Sequence, residues 1–156
     1  MFDINIVNTF STSTVRTLKS YNDGSVSKGN VIVKNSFSPL MGVGVLIAFA
    51  GDLDGRALFD MDKPTAFNLA SMLNGERIEA VDDIFIATVK EFTNMVVGGA
   101  VNELSTRNID VTITTPTLLM GEHMSLVEKA AEQILVINYD TDIGIIALNL
   151  VFSGRP

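Results

Sequence analysis

The chain contains no cysteine. That excludes disulfide scaffolding, thiolate zinc sites and a cysteine nucleophile, and it suits a reducing compartment. There is one histidine, His123, so any Ser-His-Asp arrangement has to be built around it. It falls in Met120-Gly121-Glu122-His123-Met124, a loop by composition, and no G-x-S-x-G motif supplies a nucleophile. A surface histidine is the simpler reading. Basic runs are missing as well: 11 Lys and Arg are scattered against 18 Asp and Glu, for a net charge of −7. Phosphate backbones and anionic lipids need concentrated cations, so nucleic acid and membrane are poor partners. The start, Met1-Phe2-Asp3-Ile4-Asn5, lacks the basic and apolar regions of a signal peptide. The longest unbroken apolar stretch, Met41 to Ala50, is too short to cross a bilayer. A cytoplasmic location is the expectation.

What is present is ordinary for a folded domain. Of 156 residues, 47% are apolar, enough to bury a core in one domain spanning 1–156. Asp3 can cap a helix running to about Ser20, followed by a polar loop from Tyr21 to Gly29 and a short strand at Val31-Ile32-Val33. Met41 to Ala50 and Arg56 to Met61 read as a hairpin across Gly51-Asp52-Leu53-Asp54-Gly55. Asp62 as N-cap, Pro64 in the first turn and Gly75 as terminator bracket a second helix. A longer helix is expected over Asp82 to Ser105, then a strand from Val111 to Thr115 that Pro116 breaks. Gln133 to Tyr139 and Gly144 to Phe152 complete a final hairpin. The order predicts an α+β fold, a mostly antiparallel sheet covered by helices. It also predicts an internal repeat, with half one at about 1–75 and half two at about 82–156.

On a helix of 100° per residue, Phe85, Val89, Phe92 and Val96 share the face expected to pack on the sheet. The opposite window holds Glu91 and Asn94, three residues apart and pointing the same way, flanked by Ala87 and Gly98. One carboxylate and one amide on a low, small-residue ridge suit close approach by another protein. Spacing alone equally describes a solvated helix face.

Wider context narrows the choice. Glu91-Phe92-Thr93-Asn94-Met95 is followed, twenty-two residues after Asn94, by Pro116 in Thr114-Thr115-Pro116-Thr117-Leu118-Leu119-Met120-Gly121. With Ile6-Val7-Asn8 near the start and Gly51-Asp52-Leu53-Asp54-Gly55 before a strand, the chain resembles the CheC/CheX family of chemotaxis phosphatases, and CheX most closely in length. The resemblance implies a CheC-like fold and hydrolysis of the aspartyl phosphate of a CheY-like response regulator. It assigns the catalytic pair to Asn94, which would orient the attacking water, and Glu91, which would ion-pair with the regulator's lysine. Ala87, Met95 and Gly98 would form the partner-binding surface, with Pro116 supporting the motif. No cofactor of its own is implied; Mg²⁺ would belong to the partner. A homodimer is a further expectation.

Two departures stand out. The matching place in half one reads Asn5-Ile6-Val7-Asn8, with asparagine where the motif has glutamate, so one armed site per chain is expected. The family pattern has Ser or Asp four residues before the glutamate, and this chain has Ala87. These departures keep a second reading open: a non-catalytic binding module of the flagellar switch, as in FliM, or of a two-component pathway. Two further patterns are read structurally. Asp52, Asp54, Asp60 and Asp62 lack the spacing of a calcium loop and are taken as solubilising turn residues. Gly42-Val43-Gly44 lacks the rest of a dinucleotide loop and is taken as easing a strand bend.

Overall fold

A computed structural model describes residues 3–21, 24–35, 39–127 and 133–153. Three helices lie on one face of an antiparallel sheet. Helix α1 spans Ile4–Tyr21, followed by strands β1 (Val26–Lys28) and β2 (Ile32–Lys34). The hairpin β3 (Gly42–Gly51) and β4 (Asp54–Asp62) leads into α2 (Lys63–Asn74). The second half runs α3 (Asp83–Ser105), β5 (Val111–Ile113), β6 (Thr117–Met120), β7 (Ile134–Thr141) and β8 (Gly144–Ser153). The α+β expectation holds, and the order of helix, short strands and hairpin occurs in both halves.

The sheet order is β1-β7-β8-β4-β3-β5, with β2 also on β7 and β6 also on β3. The two hairpins meet at the centre, where β4 pairs with β8. Each hairpin is flanked by the short strands of the other half: β1 and β2 line β7, while β5 and β6 line β3. The sequence expectations contained neither β1, which sits inside the anticipated polar loop, nor β6, which resumes directly after Pro116. Three- and four-residue strands are too short to show a period of two. Residues 22 and 23 of that loop fall outside the described residues.

Alternation along the central strands sorts the core. Ala57, Phe59 and Met61 of β4 face the helices, together with Val45 and Ile47 of β3 and Leu148 and Leu150 of β8. Leu58 faces the other way, into a smaller cluster with Leu40, Ile134, Val136, Ala147 and Val151. Asp60, two residues on from Leu58, shares that second face and is only 6% exposed. Its carboxylate accepts from the Met41 N–H at 3.0 Å. Burial raises its pKa from 3.8 to about 6, opposed in part by backbone hydrogen bonds from Met41 and Met61.

The helix ends follow the capping residues. Asp62 Oδ1 accepts from the Thr65 N–H at 2.8 Å, Pro64 occupies the first turn, and Gly75 ends α2 with φ +69°. By length and composition α3 is a candidate membrane span, although it contains no long unbroken apolar run. Its apolar side is taken up by the sheet and by α1: Phe85, Val89, Phe92, Val96, Val97 and Leu104 are all fully buried.

Candidate functional site

Rotation of α3 about its axis decides where its polar groups point, and aromatic contacts fix that rotation. The Asp82 carboxylate caps the helix, accepting from the Phe85 N–H at 2.9 Å. Phe92 meets Phe59 of β4 edge-on, with centroids 5.3 Å apart, and Phe85 packs on Phe67 of α2 at 4.8 Å. On another side α1 comes very close. The Ser13 hydroxyl donates to the Val96 carbonyl at 2.6 Å, and a Cβ built on Gly99 would lie 2.6 Å from Ser13 Oγ. A methyl group at Gly99 would displace the Ser13 hydroxyl from its bond to Val96.

With the helix so held, Ala87, Lys90, Glu91 and Asn94 form one wall of an open groove of about 440 Å³. Ile113, Thr114, Thr115 and Pro116, the turn between β5 and β6, form the other. The turn is anchored to β3 in both directions. The Thr114 N–H donates to the Ala48 carbonyl at 2.9 Å, and Thr114 Oγ1 accepts from the Ala48 N–H at 3.0 Å. Pro116, which has no N–H to offer a ladder, stands where β5 has stopped and β6 has yet to begin.

Four of the residues singled out from sequence thus share one groove: Glu91, Asn94, Pro116 and Ala87, the last adding carbon surface and no hydrogen-bonding group. Met95 and Gly98 do not line it. Met95 Sδ accepts from the Tyr21 hydroxyl at 3.7 Å, on the side of α1. A Cβ on Gly98 would meet nothing within 4 Å. The groove also contains Lys90, Ile113, Thr114 and Thr115, which sequence reasoning passed over. Only the Lys90–Asn94 spacing of one helical turn hinted at the lysine.

Among the described residues, no hydrogen bond or ion pair engages the side chain of Glu91 or of Asn94. Other side-chain amides are committed: Asn68, Asn74 and Asn149 each donate to a backbone carbonyl. Asn94, half-buried, keeps its donor and its acceptor for a ligand. No group of three His, Cys, Asp or Glu suited to a metal ion occurs among the described residues. The aspartates taken as solubilising turn residues serve the backbone instead. Asp54 accepts from the Gly51 N–H at 3.1 Å and Asp52 from the Asp110 N–H at 2.8 Å, while Asp62 caps α2 and Asp60 holds Met41. His123 is exposed, in the loop after β6, with φ +56°.

No curated protein sequence matches the chain. Among solved structures, a CheC-like superfamily protein from Shewanella sp. PV-4 superposes with TM-score 0.87 at 23% identity, over 98% of this chain and 100% of its own. A chemotaxis protein CheX from Desulfovibrio desulfuricans gives 0.84 at 21%, over 96% and 99%. A chain of the CheX–CheY–BeF3–Mg²⁺ complex from Borrelia burgdorferi gives 0.82 at 26%, over 97% and 100%. The family model described as chemotaxis phosphatase CheX matches residues 43–140, a span that takes in Glu91, Asn94 and Pro116. Since it covers well over half of the sequence, the chain belongs to the CheX chemotaxis phosphatase family.

Proposed function

We propose that this protein hydrolyses the aspartyl phosphate of a CheY-like response regulator, with Asn94 and Glu91 inserted into the regulator's active site. One observation carries the reading: an uncommitted carboxylate and an uncommitted amide stand together on a rigid helix, in a groove open to a partner. The relative from Borrelia burgdorferi, described in complex with CheY, BeF3 and Mg²⁺, supports the choice of partner.

Phosphoryl transfer of this kind is mostly a matter of positioning and electrostatics. The nucleophile is a water that must lie in line with the phosphorus and opposite the aspartyl oxygen. Asn94 offers an acceptor for one water proton and a donor for another oxygen, and it does so without titrating. Glu91, one turn away on the outer row of the helix, would pair with the regulator's lysine and set the register of the two proteins. The P–O bond to aspartate breaks, water supplies the new oxygen, and its proton leaves with the products. Mg²⁺ would be the regulator's own.

Ala87 would supply an apolar contact beside the pair, and Gly98 and Met95 would extend the docking surface along the helix. A cytoplasmic location goes with such a partner. A homodimer belongs to the same reading, the short outer strands offering sheet edges to a second copy; a monomeric mass by light scattering would remove it. The decisive experiment follows the decay of a phosphorylated CheY-like regulator with wild type, with Asn94→Ala and with no addition. Acceleration by wild type alone is expected. Equal rates with wild type and Asn94→Ala would overturn the assignment. Binding without acceleration would leave a docking module.

A further inference from the structure

The groove holds one cation, Lys90, among the eight residues that line it. The surroundings make this unusual. The chain carries −7 overall, and several of its other cations are engaged. Lys63 lies over the Phe67 ring at 6.0 Å, Arg77 pairs with Glu79 at 2.6 Å, and Arg107 donates to Thr9. Lys90 has no such partner among the described residues, although it is half-buried. A lysine in this setting lays its methylenes on the groove wall and keeps its ammonium at the mouth.

Its place on the helix is informative. Lys90 and Asn94 are four residues apart and form the inner row, toward the β5–β6 turn; Ala87 and Glu91 form the outer row. Lys90 and Asn94 thus start from positions one helical turn apart, about 6 Å between Cβ atoms. An aspartyl phosphate bound with Mg²⁺ is lined by phosphoryl and carboxylate oxygens; Glu91 has the regulator's lysine to pair with there, but the rest of an acidic chain approaches like charge. Lys90 is the one cation of the groove wall available to offset it.

Resting on the phosphatase reading above, we propose that Lys90 is a positioning residue that receives an anionic oxygen of the partner's active site. The oxygen belongs either to the phosphoryl group or to a carboxylate beside it. Lys90 is the feature that lets an acidic chain dock on an acidic site. Its contribution is electrostatic and lies at the edge of the contact, so it acts on encounter and binding more than on the chemical step.

The test compares wild type, Lys90→Met and Lys90→Arg at several salt concentrations, by steady-state dephosphorylation and by calorimetric binding to BeF3-activated and unactivated regulator. Lys90→Met is expected to raise KM about five- to ten-fold with kcat changed less than about two-fold, and to flatten the salt dependence. Lys90→Arg restores both. Weakened binding of the activated form alone assigns the oxygen to the phosphoryl group; equal weakening of both forms assigns it to a carboxylate. An unchanged KM and salt slope in Lys90→Met, or a loss confined to kcat, overturns the proposal. If wild type binds the activated regulator without hydrolysing it, the phosphatase reading fails, and the calorimetric comparison still decides the role of Lys90.

Discussion

The two halves of the chain repeat at an offset of 86 residues through the helix and its edge strands, and only the second carries the glutamate–asparagine pair. Asn8 corresponds to Asn94 and Asn5 to Glu91; β1 and β2 then fall on β5 and β6. Contacts between the helices obey the same relation. Ser13 lies against Gly99, while Thr9 receives Arg107 and Met95 receives Tyr21, each pair the image of the other. The difference is length. As described, α1 begins at Ile4, the position equivalent to Lys90, whereas α3 carries seven further residues, Asp83 to Val89, ahead of that point. Those turns bury Phe85 and Val89 and place Glu91 in the third turn of a clamped helix. Asn5 sits in the first turn, with its N–H given to the Asp3 carboxylate at 2.8 Å. Asn5 and Asn8 look into another cleft, of about 410 Å³, shared with Arg16, Glu103 and Arg107. The repeat therefore places its two polar pairs in different settings: Asn5 near the end of a helix, Glu91 well inside one.

The sharpest way to break this comparison is to exchange the two amides. Asn94→Ala should slow regulator dephosphorylation by about 100-fold or more, the usual cost of losing a group that orients the reacting atoms, whereas Asn8→Ala should leave the rate unchanged. Equal losses in a phosphate-release assay would mean that both halves work. The next effect belongs to the central strands, each of which buries one polar side chain on the face away from the helices: an amide in β8, Asn149, and a carboxylate in β4, Asp60. Because the folded pKa of Asp60 is raised, the native state holds more protons than the unfolded chain between about pH 4 and 6. Stability therefore falls as pH rises through that window, by about 2–3 kcal/mol. Urea titrations should show this slope in wild type and lose it in Asp60→Asn. Gly99→Ala, which drives a methyl group toward Ser13, should destabilise by about 1–2 kcal/mol, read as a lower urea midpoint. Gly98→Ala, with open space around it, should stabilise by about 0.5–1 kcal/mol. The two adjacent glycines then differ in sign, and a loss at both would refute the crossing geometry.

Much of this was legible in the residues. Asp62 as cap, Pro64 and Gly75 gave α2 to within a residue, because capping is local chemistry written in side chains. The apolar face of α3 followed from its period. The edge strands β1 and β6 were not legible: they are held by partners distant in sequence, and nothing in Val26–Lys28 marks it as a strand until β7 lies beside it. Of the site, Glu91, Asn94 and Pro116 were readable through family resemblance, and from spacing alone they looked like any solvated face. Lys90 was hidden because a helical wheel describes one helix. Its meaning comes from the β5–β6 turn, brought alongside by pairing with β3.

The exchange of edge strands between the halves has a consequence for how this chain folds and for what can be cut from it. The β3–β4 hairpin forms between neighbours, but its outer edge is supplied by residues 111–120, and that of β7 by residues 26–34. Neither half can close its own sheet, so closure waits for contacts across most of the sequence, a topology that favours slow folding. A fragment carrying α3 and the residues of the groove would expose the edge of β7 and lose β3, the strand to which the β5–β6 turn is anchored. The first half is thus an obligatory scaffold for the groove: the turn that forms one wall of it is held in place by pairing with β3.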